Sequence, residues 1–139
     1  MGKYRFVLDT NLLVSSLLSP GTMPRQSFLL AQSMGTILSS DDTLKELSLV
    51  LKRSKFDKYV SIDHRLAFFT GFVENSSCIK VKSNVSVCRD PKDDKFLSLA
   101  LAGKATCIIS GDQDLLQLHP FKKIPIVTAK RFVEIYGQS

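Results

Sequence analysis

The chain has 139 residues, of which 44% are hydrophobic, and it carries a formal net charge of +6. This length predicts a single domain over residues 1–139 with a substantial hydrophobic core. No apolar run approaches the roughly 18 residues that a membrane-spanning helix needs, and the N-terminus lacks the basic flank and cleavage site of a signal peptide. We therefore expect a cytoplasmic protein with no membrane partner.

The cysteine and histidine content limits the kinds of metal site. Three cysteines, Cys78, Cys88 and Cys107, form no paired CxxC motif, and only two histidines are present. Disulfides and a zinc site are therefore disfavoured. A metal bound here would be a hard cation held by oxygen ligands.

The excess of basic residues is concentrated in short clusters. The clusters lie at residues 52–55, 80–82, 122–123 and 130–131. They favour a polyanionic partner, although lysines that only maintain solubility would give the same composition.

Alternating apolar segments predict the fold. Strands are expected at residues 4–8, 36–38, 78–81, 106–109 and 125–127. Helices are expected at residues 12–18, 25–33, 42–52, 62–73, 91–103, 114–118 and 129–136. Strands that alternate with helices form a parallel sheet covered on both faces. We therefore expect an α/β protein, a three-layer α/β/α sandwich with a central parallel sheet.

The first predicted strand, at residues 4–8, is followed directly by Asp9-Thr10-Asn11. In open α/β sheets the carboxyl ends of the strands form the ligand-binding edge. Asp9 or Thr10 could instead only cap the following helix. Capping alone does not explain a carboxylate, a hydroxyl and an amide in succession, and Asn11 could orient a neighbouring carboxylate.

Glu46 lies one turn into the helix predicted to end near Lys52. With Thr43 it fits a capping box, but Asp41 and Asp42 come earlier and provide better caps. Because Glu46 precedes the apolar Leu47, its carboxylate could lean over the sheet edge.

Three aspartates open the predicted helix at residues 91–103. Asp90 fits an N-cap with proline at the first helical position, and Asp93 fits the first turn. Asp94 continues the stripe of Leu97 and Leu101. The spacing therefore favours Asp94 over Asp93 as the acid that faces the sheet edge.

The predicted strand at residues 106–109 is also followed by polar residues, Ser110-Gly111-Asp112-Gln113-Asp114. We expect Asp112 to point to the site, whereas Asp114 could cap the next short helix. Two strands that deliver acids to one sheet edge predict a site for a divalent metal. Basic flanks and such a site together are what a metal-dependent nuclease needs.

The order of these motifs resembles the PIN-domain family of metal-dependent nucleases, most closely those described as toxins of bacterial and archaeal toxin–antitoxin pairs. The matching segments are Asp9-Thr10-Asn11, Glu46 in its helix, Asp94 at the start of a helix with an apolar and alanine pattern, and Ser110-Gly111-Asp112-Gln113-Asp114. Ser110 stands where many members have threonine, which preserves the hydroxyl.

This resemblance implies a PIN-like fold and an endoribonuclease that uses Mg²⁺ or Mn²⁺. It implies that Asp9, Glu46, Asp94 and Asp112 are the catalytic and metal-binding acids. Asp114 would be a further ligand, and Thr10, Asn11 and Ser110 would support them. RNA as substrate, a homodimer and an antitoxin partner are further expectations. The helices at residues 25–33 and 62–73 carry a surplus of apolar residues, which in a small domain can simply belong to the core; together with the resemblance it predicts that one of these helices contributes to the dimer surface.

Other functions fit the sequence less well. A signalling receiver domain needs paired acids after the first strand, and a phosphatase with a nucleophilic aspartate needs Asp-x-Asp, whereas this chain has Asp9-Thr10-Asn11. A non-catalytic RNA-binding or scaffold protein on the same fold remains the main alternative.

Overall fold

The computed structural model describes residues 4–137. The strands are β1 (Tyr4–Leu8), β2 (Gly35–Ser39), β3 (Ser77–Cys78), β4 (Cys107–Ile109) and β5 (Ile126–Val127). The helices are α1 (Thr10–Leu18), α2 (Met23–Met34), α3 (Asp41–Leu51), α4 (Ile62–Asn75), α5 (Asp94–Ala102), α6 (Gln113–Leu116) and α7 (Ala129–Tyr136). Two 3₁₀ turns, Ser54–Phe56 and Pro91–Asp93, precede α4 and α5. Within residues 4–137, no helix combines the length and apolar content needed to cross a bilayer.

The five strands form one parallel sheet in the order β3-β2-β1-β4-β5. The central strand β1 pairs with β2 from Tyr4 to Phe6, and with β4 from Phe6 to Leu8. Because all strands run in one direction, their carboxyl ends share one edge. That edge carries the residues that follow β1 and β4.

The core lies on both faces of the sheet, as the prediction of a three-layer α/β/α fold requires. Phe6 and Leu8 pack on one face with α1, α2, α3 and α7, whereas Val7 packs on the other with α5. Successive side chains of a strand point to opposite faces. Residues 6–8 are all buried. Because helices cover both faces of the sheet, both sides of β1 are apolar, as is usual for a strand of a buried parallel sheet.

The helix starts are set by polar side chains at strand ends. Asp9 caps α1, because its Oδ1 accepts a hydrogen bond from the backbone N–H of Leu12. Ser40 caps α3 and forms a capping box with Thr43. The expected caps Asp41 and Asp42 are therefore in the first turn instead, and Glu46 is left free of any capping role.

Two predicted elements differ from those observed. The strand predicted at residues 78–81 is only Ser77–Cys78, since the chain leaves the sheet after the N–H of Ile79 donates to the carbonyl of Ser39. The helix predicted from residue 91 begins as a 3₁₀ turn and becomes α-helical at Asp94. The second difference decides which aspartate reaches the site.

A buried arginine ties the chain segment after α3 to α4. Arg65 has no exposed surface, and its guanidinium donates to the carbonyls of Leu51, Arg53 and Val60 and forms an ion pair with Asp57. A buried guanidinium is tolerated when its donors are satisfied. Arg65 thereby fixes the end of α3 and the path of the basic segment at residues 52–55.

Candidate active site

A polar cleft of about 220 Å³ opens at the carboxyl edge of β1. Five acidic residues line it: Asp9, Glu46, Asp90, Asp93 and Asp112. They come from the end of β1, from α3, from the segment before α5, and from the end of β4. Acids that follow β1 and β4 therefore lie in one cleft, as the sequence predicts, but Asp93 lines it where Asp94 was expected.

Asp9 is nearly buried at the base of the cleft, with 4% of its surface exposed. Its Oδ1 caps α1, and its Oδ2 accepts a hydrogen bond from the hydroxyl of Ser110. Capping and membership of the acidic site are therefore not alternatives for this residue. Burial raises the pKa of the Asp9 carboxyl to about 6, and nearby Asp112 and Glu46 add to the rise.

Glu46 is held at the cleft by a hydroxyl and a cation. The hydroxyl of Thr10 donates to its Oε1 at 2.6 Å, and Nζ of Lys95 lies 3.3 Å from its Oε2. Thr10 thus orients Glu46 directly. Asn11 is exposed and lines the cleft, and no hydrogen bond ties its side chain to any part of residues 4–137.

The segment after β4 is organised by Ser110 and Asp112. The buried Ser110 hydroxyl that donates to Asp9 also accepts from the backbone N–H of Asp112 at 2.9 Å. Asp112 itself caps α6, because its Oδ1 accepts from the N–H of Asp114. Asp114 therefore does not cap the helix; its Oδ1 lies 3.5 Å from Nε of the exposed Arg89.

The expectation that Asp94 faces the sheet edge is wrong, and Asp93 takes that place. The Oδ1 atom of Asp94 accepts hydrogen bonds from the backbone N–H groups of Val87 and Cys88, at 3.0 and 2.8 Å. Burial alone would raise the pKa of Asp94, but these bonds outweigh it and the pKa is lowered. Asp93 lines the cleft instead, and carboxylate oxygens of Asp93, Asp112 and Asp114 lie within 4.8 Å of one another.

The physical reason is the local helix geometry. Asp93 ends a 3₁₀ turn, whose three residues per turn place side chains differently from an α-helix. In addition, residues 96–100 of α5 are all buried, so the helix has no single apolar stripe to extend toward the site. The spacing from Asp94 to Leu97 and Leu101 therefore carried no information about which acid faces the cleft.

The electrostatics of the cleft favour a bound cation. Burial and the neighbouring Asp112 raise the pKa of Asp93 to about 7. Among residues 4–137, no hydrogen-bond donor reaches the buried Oδ2 of Asp93 when both carboxylates are ionised. The two groups can share a hydrogen bond only if one is protonated. A set of carboxylate oxygens fits Mg²⁺ or Mn²⁺, and such an ion would remove this repulsion.

Basic residues at the cleft were not identified from the sequence as part of the site. Arg53 and Lys92 line the cleft, and Lys95 pairs with Glu46. Arg53 belongs to the basic cluster at residues 52–55, so that cluster could have indicated a basic residue near the site. Its position depends on the fold of the segment held by Arg65.

An acidic cleft at the carboxyl edge of a five-stranded parallel sheet, covered by helices on both faces, defines a class of α/β proteins with a cluster of carboxylates that could hold a divalent metal. Comparison with known families makes the assignment specific. Residues 5–114 match the family model described as PIN domain. The chain therefore belongs to the PIN-domain family, whose members are generally nucleases that use divalent metals.

One curated relative is similar over nearly its whole length. The uncharacterized protein MJ1680 of Methanocaldococcus jannaschii is 32% identical over 142 aligned positions, which cover 95% of this chain and 91% of that protein.

Solved structures share the fold at low identity. VapBC2 of Rickettsia felis bound to a DNA fragment from its promoter gives a TM-score of 0.65 at 14% identity, over 89% of this chain and 98% of that one. PAE2754 of Pyrobaculum aerophilum gives 0.64 at 13% identity, over 97% and 91%. DNA-bound VapBC of Salmonella typhimurium gives 0.59 at 18% identity, over 91% and 98%. These likenesses confirm the predicted PIN-like fold.

Proposed function

We propose that this PIN-domain protein, taken as one domain over residues 1–139, is an Mg²⁺- or Mn²⁺-dependent endoribonuclease that hydrolyses RNA phosphodiester bonds. The observation that carries the proposal is the cluster of carboxylates in one cleft, in which a buried oxygen of Asp93 has no donor among residues 4–137. A protein maintains such uncompensated charge where a ligand supplies the counter-charge. Family membership then favours a nuclease.

The proposed roles of the acids follow from their positions in the cleft. Asp93 and Asp112 would bind the cation directly, and Asp114 would complete their cluster. Asp9 would contribute from the base of the cleft, with Ser110 fixing its orientation. When bound, the metal supplies an activated water and neutralises charge on the phosphate.

The remaining polar residues would position these groups. Thr10 fixes Glu46 through its hydrogen bond, so Glu46 can hold a water or a ligand on one side of the site. Asn11 stands at the mouth of the cleft, where its amide can reach a substrate. Arg53 and Lys92 would attract the phosphate backbone. Asp94 has no proposed catalytic role, because its carboxylate binds the loop at Val87 and Cys88.

The structural likeness to VapBC complexes supports a further proposal, that the chain is the toxin of a toxin–antitoxin pair. A basic side chain of the antitoxin would neutralise the acids of the cleft. Such a protein would act in the cytoplasm.

A homodimer is proposed through α4. Ile62, Leu66 and Val73 are each at least 38% exposed, and their spacing places them along one side of the helix. Part of the apolar surplus of the helices at residues 25–33 and 62–73 belongs to the core, because Phe28 and Phe72 are buried and Phe68 packs on Phe28, whereas Leu29 of α2 is 51% exposed.

The main alternative is a non-catalytic RNA-binding or scaffold protein. Cleavage assays separate the two. We expect purified protein to cut single-stranded RNA with Mn²⁺ or Mg²⁺ and to be inactive in EDTA. Asp112→Asn should abolish cleavage, whereas Asp63→Asn, which changes an exposed acid at the start of α4, should leave it unchanged. RNA binding without metal-dependent cleavage would support the alternative, and equal cleavage by both variants would indicate a contaminating nuclease.

A further inference from the structure

The acidic cleft is continuous with two neighbouring depressions: an apolar pocket and a groove lined by several basic residues. On one side it shares Asn11 and Asp112 with an apolar pocket of about 270 Å³. On the other side it shares Glu46, Arg53 and Lys92 with a groove on the outer side of α3. A chain molecule held in the cleft must therefore enter or leave through surfaces that differ in chemistry.

The pocket that shares Asn11 and Asp112 is lined mainly by carbon. Leu12 and Ser15 of α1 form one part of its wall, and Pro24 of α2 and Ala129 of α7 form the other. Its volume is below the range of about 300–1,000 Å³ that is usual for drug-sized ligands. It therefore suits a single flat ring system and offers no basic side chain for a phosphate.

The groove on the outer side of α3 carries more basic than acidic side chains. Besides Arg53 and Lys92 it contains Lys45 and Lys95, and its two acids are Asp42 and Glu46. The ammonium of Lys95 is fixed, since it donates to the carbonyl of Lys92 at 2.8 Å and pairs with Glu46. A groove with this excess of basic side chains matches a path for a phosphate backbone.

We propose that the apolar pocket between α1, α2 and α7 is a nucleobase subsite. The proposal rests on the ribonuclease function proposed above. The phosphate to be cut lies in the acidic cleft, the base of an adjoining nucleotide enters the apolar pocket, and the strand continues on the other side along the groove of Lys45, Arg53, Lys92 and Lys95.

Asn11 is the residue best placed to read the base. It stands at the boundary shared by the pocket and the cleft, its side chain is exposed, and its amide offers both a donor and an acceptor. Bases in single-stranded RNA present their Watson–Crick edges to such groups. Asn11 thereby determines specificity, and its amide is available to do so because no hydrogen bond ties it to residues 4–137.

The test uses the full-length protein and a short single-stranded RNA in which each base in turn is removed, with the ribose and phosphate kept. Binding is measured by fluorescence anisotropy with Ca²⁺ in place of Mn²⁺, after a gel has confirmed that the RNA stays intact. We expect one position at which removal of the base weakens binding by at least about fivefold, the lower end for one stacked base.

Ser15→Leu fills the pocket and is the test variant. The matched control is Ser33→Leu, which makes the same change at an exposed position of α2 outside all three depressions. Ser15→Leu should bind intact RNA about fivefold more weakly than Ser33→Leu does. It should also no longer respond to removal of the base at the sensitive position. If Ser15→Leu melts well below the wild type, Ala129→Leu takes its place.

The outcomes distinguish this inference from the proposed function. Wild-type protein that cuts RNA but shows no sensitive base, or a Ser15→Leu variant that responds to base removal as fully as the wild type, would overturn the subsite. The protein could instead fail to cut RNA with any divalent metal and still bind more weakly when one base is removed. If Ser15→Leu abolishes that sensitivity, the result would support the subsite and overturn the nuclease.

Discussion

Asp93 and Asp94 allow a direct comparison of two adjacent carboxylates in different surroundings. Substituting either by asparagine removes one negative charge and almost no volume. Asp93 lies among the acids of the cleft, whereas Asp94 accepts two backbone hydrogen bonds from the loop at Val87 and Cys88. The two variants should therefore change stability in opposite directions and differ sharply in activity.

For Asp93 the sign follows from its pKa. The carboxyl has a pKa of about 7 in the folded protein, against an ordinary value of 3.8. Its contribution to stability is therefore fully present below pH 3.8 and is lost as the pH rises through about 7. At pH 7.5 without metal, Asp93→Asn should melt at the same temperature as the wild type or higher. Its stability should also fall less between pH 5 and pH 7.5.

For Asp94 the hydrogen bonds decide the result. Asparagine keeps an acceptor oxygen but loses the charge that strengthens both bonds, and it loses the favourable interaction with the start of α5. Because Asp94 is partly exposed, we take the low end of the usual range, about 1 kcal/mol. For a domain of this size this lowers the melting temperature by about 4 °C.

Activity and metal binding give the second readout. Asp93→Asn should reduce RNA cleavage by at least about 100-fold, as the loss of a central electrostatic group does. Asp94→Asn should cut RNA within a few-fold of the wild type. Mn²⁺ at about 100 times its dissociation constant stabilises a folded protein by about 2.7 kcal/mol, so it should raise the melting temperature of the wild type and of Asp94→Asn much more than that of Asp93→Asn.

The assays are thermal melts in EDTA and in Mn²⁺, together with cleavage of a labelled RNA. Loss of cleavage and of the Mn²⁺-induced shift in Asp94→Asn, with both retained in Asp93→Asn, would show that Asp94 and not Asp93 serves the site. A melting temperature of Asp93→Asn several degrees below the wild type in EDTA would show that Asp93 is a structural acid.

Three further predictions test separate parts of the molecule. Asp9→Asn should weaken Mn²⁺ binding and lower RNA cleavage by at least about 100-fold; unchanged cleavage by protein free of contaminating nuclease would contradict its role. Arg65→Met should lower the free energy of unfolding in urea by about 3 kcal/mol, because the buried carbonyl of Leu51 and the partly buried carbonyls of Arg53 and Val60 lose the donors of Arg65; a change below about 1 kcal/mol would mean that water replaces them. Light scattering at micromolar concentration should give twice the 15.5 kDa chain mass, and Leu66→Glu should give a monomer; a monomer mass for the wild type at every concentration would refute the dimer.

Much of the fold was predictable because local patterns and tertiary structure agree. Residues 6–8 form a fully apolar run that fits a strand buried on both faces. The position of β1 between β2 and β4 was not predictable, since the order of strands depends on packing between distant helices. The length of β3 was also not predictable. Residues 79–81 have strand-like side chains but lie beyond the end of β2, whose last pairing is Ser39 with Cys78; within residues 4–137, the Ser39 carbonyl that accepts from Ile79 is the last that β2 offers to this segment.

The acids at strand ends were the easiest part of the site to predict. Asp9 and Asp112 follow β1 and β4, which are adjacent, so the shared carboxyl edge brings them together without any detail of the loops. Glu46 was harder to predict than Asp9 and Asp112, because the direction in which its side chain leaves α3 depends on the residue at which that helix begins. Ser40 and Thr43 fix that start through their capping box, and Thr10 then meets the carboxylate.

The choice between Asp93 and Asp94 depended on backbone donors that the sequence does not reveal. A buried carboxylate is stable where N–H groups point at it, and the loop before α5 supplies two such groups to Asp94 and, among residues 4–137, none to Oδ2 of Asp93. Evolution for stability alone would remove a carboxylate such as Asp93, since burial without a donor is costly. Asp94 therefore holds the loop that covers α5, and that leaves Asp93 available for a cation. The same comparison of donors can separate structural from functional acids wherever two carboxylates stand side by side at the start of a helix.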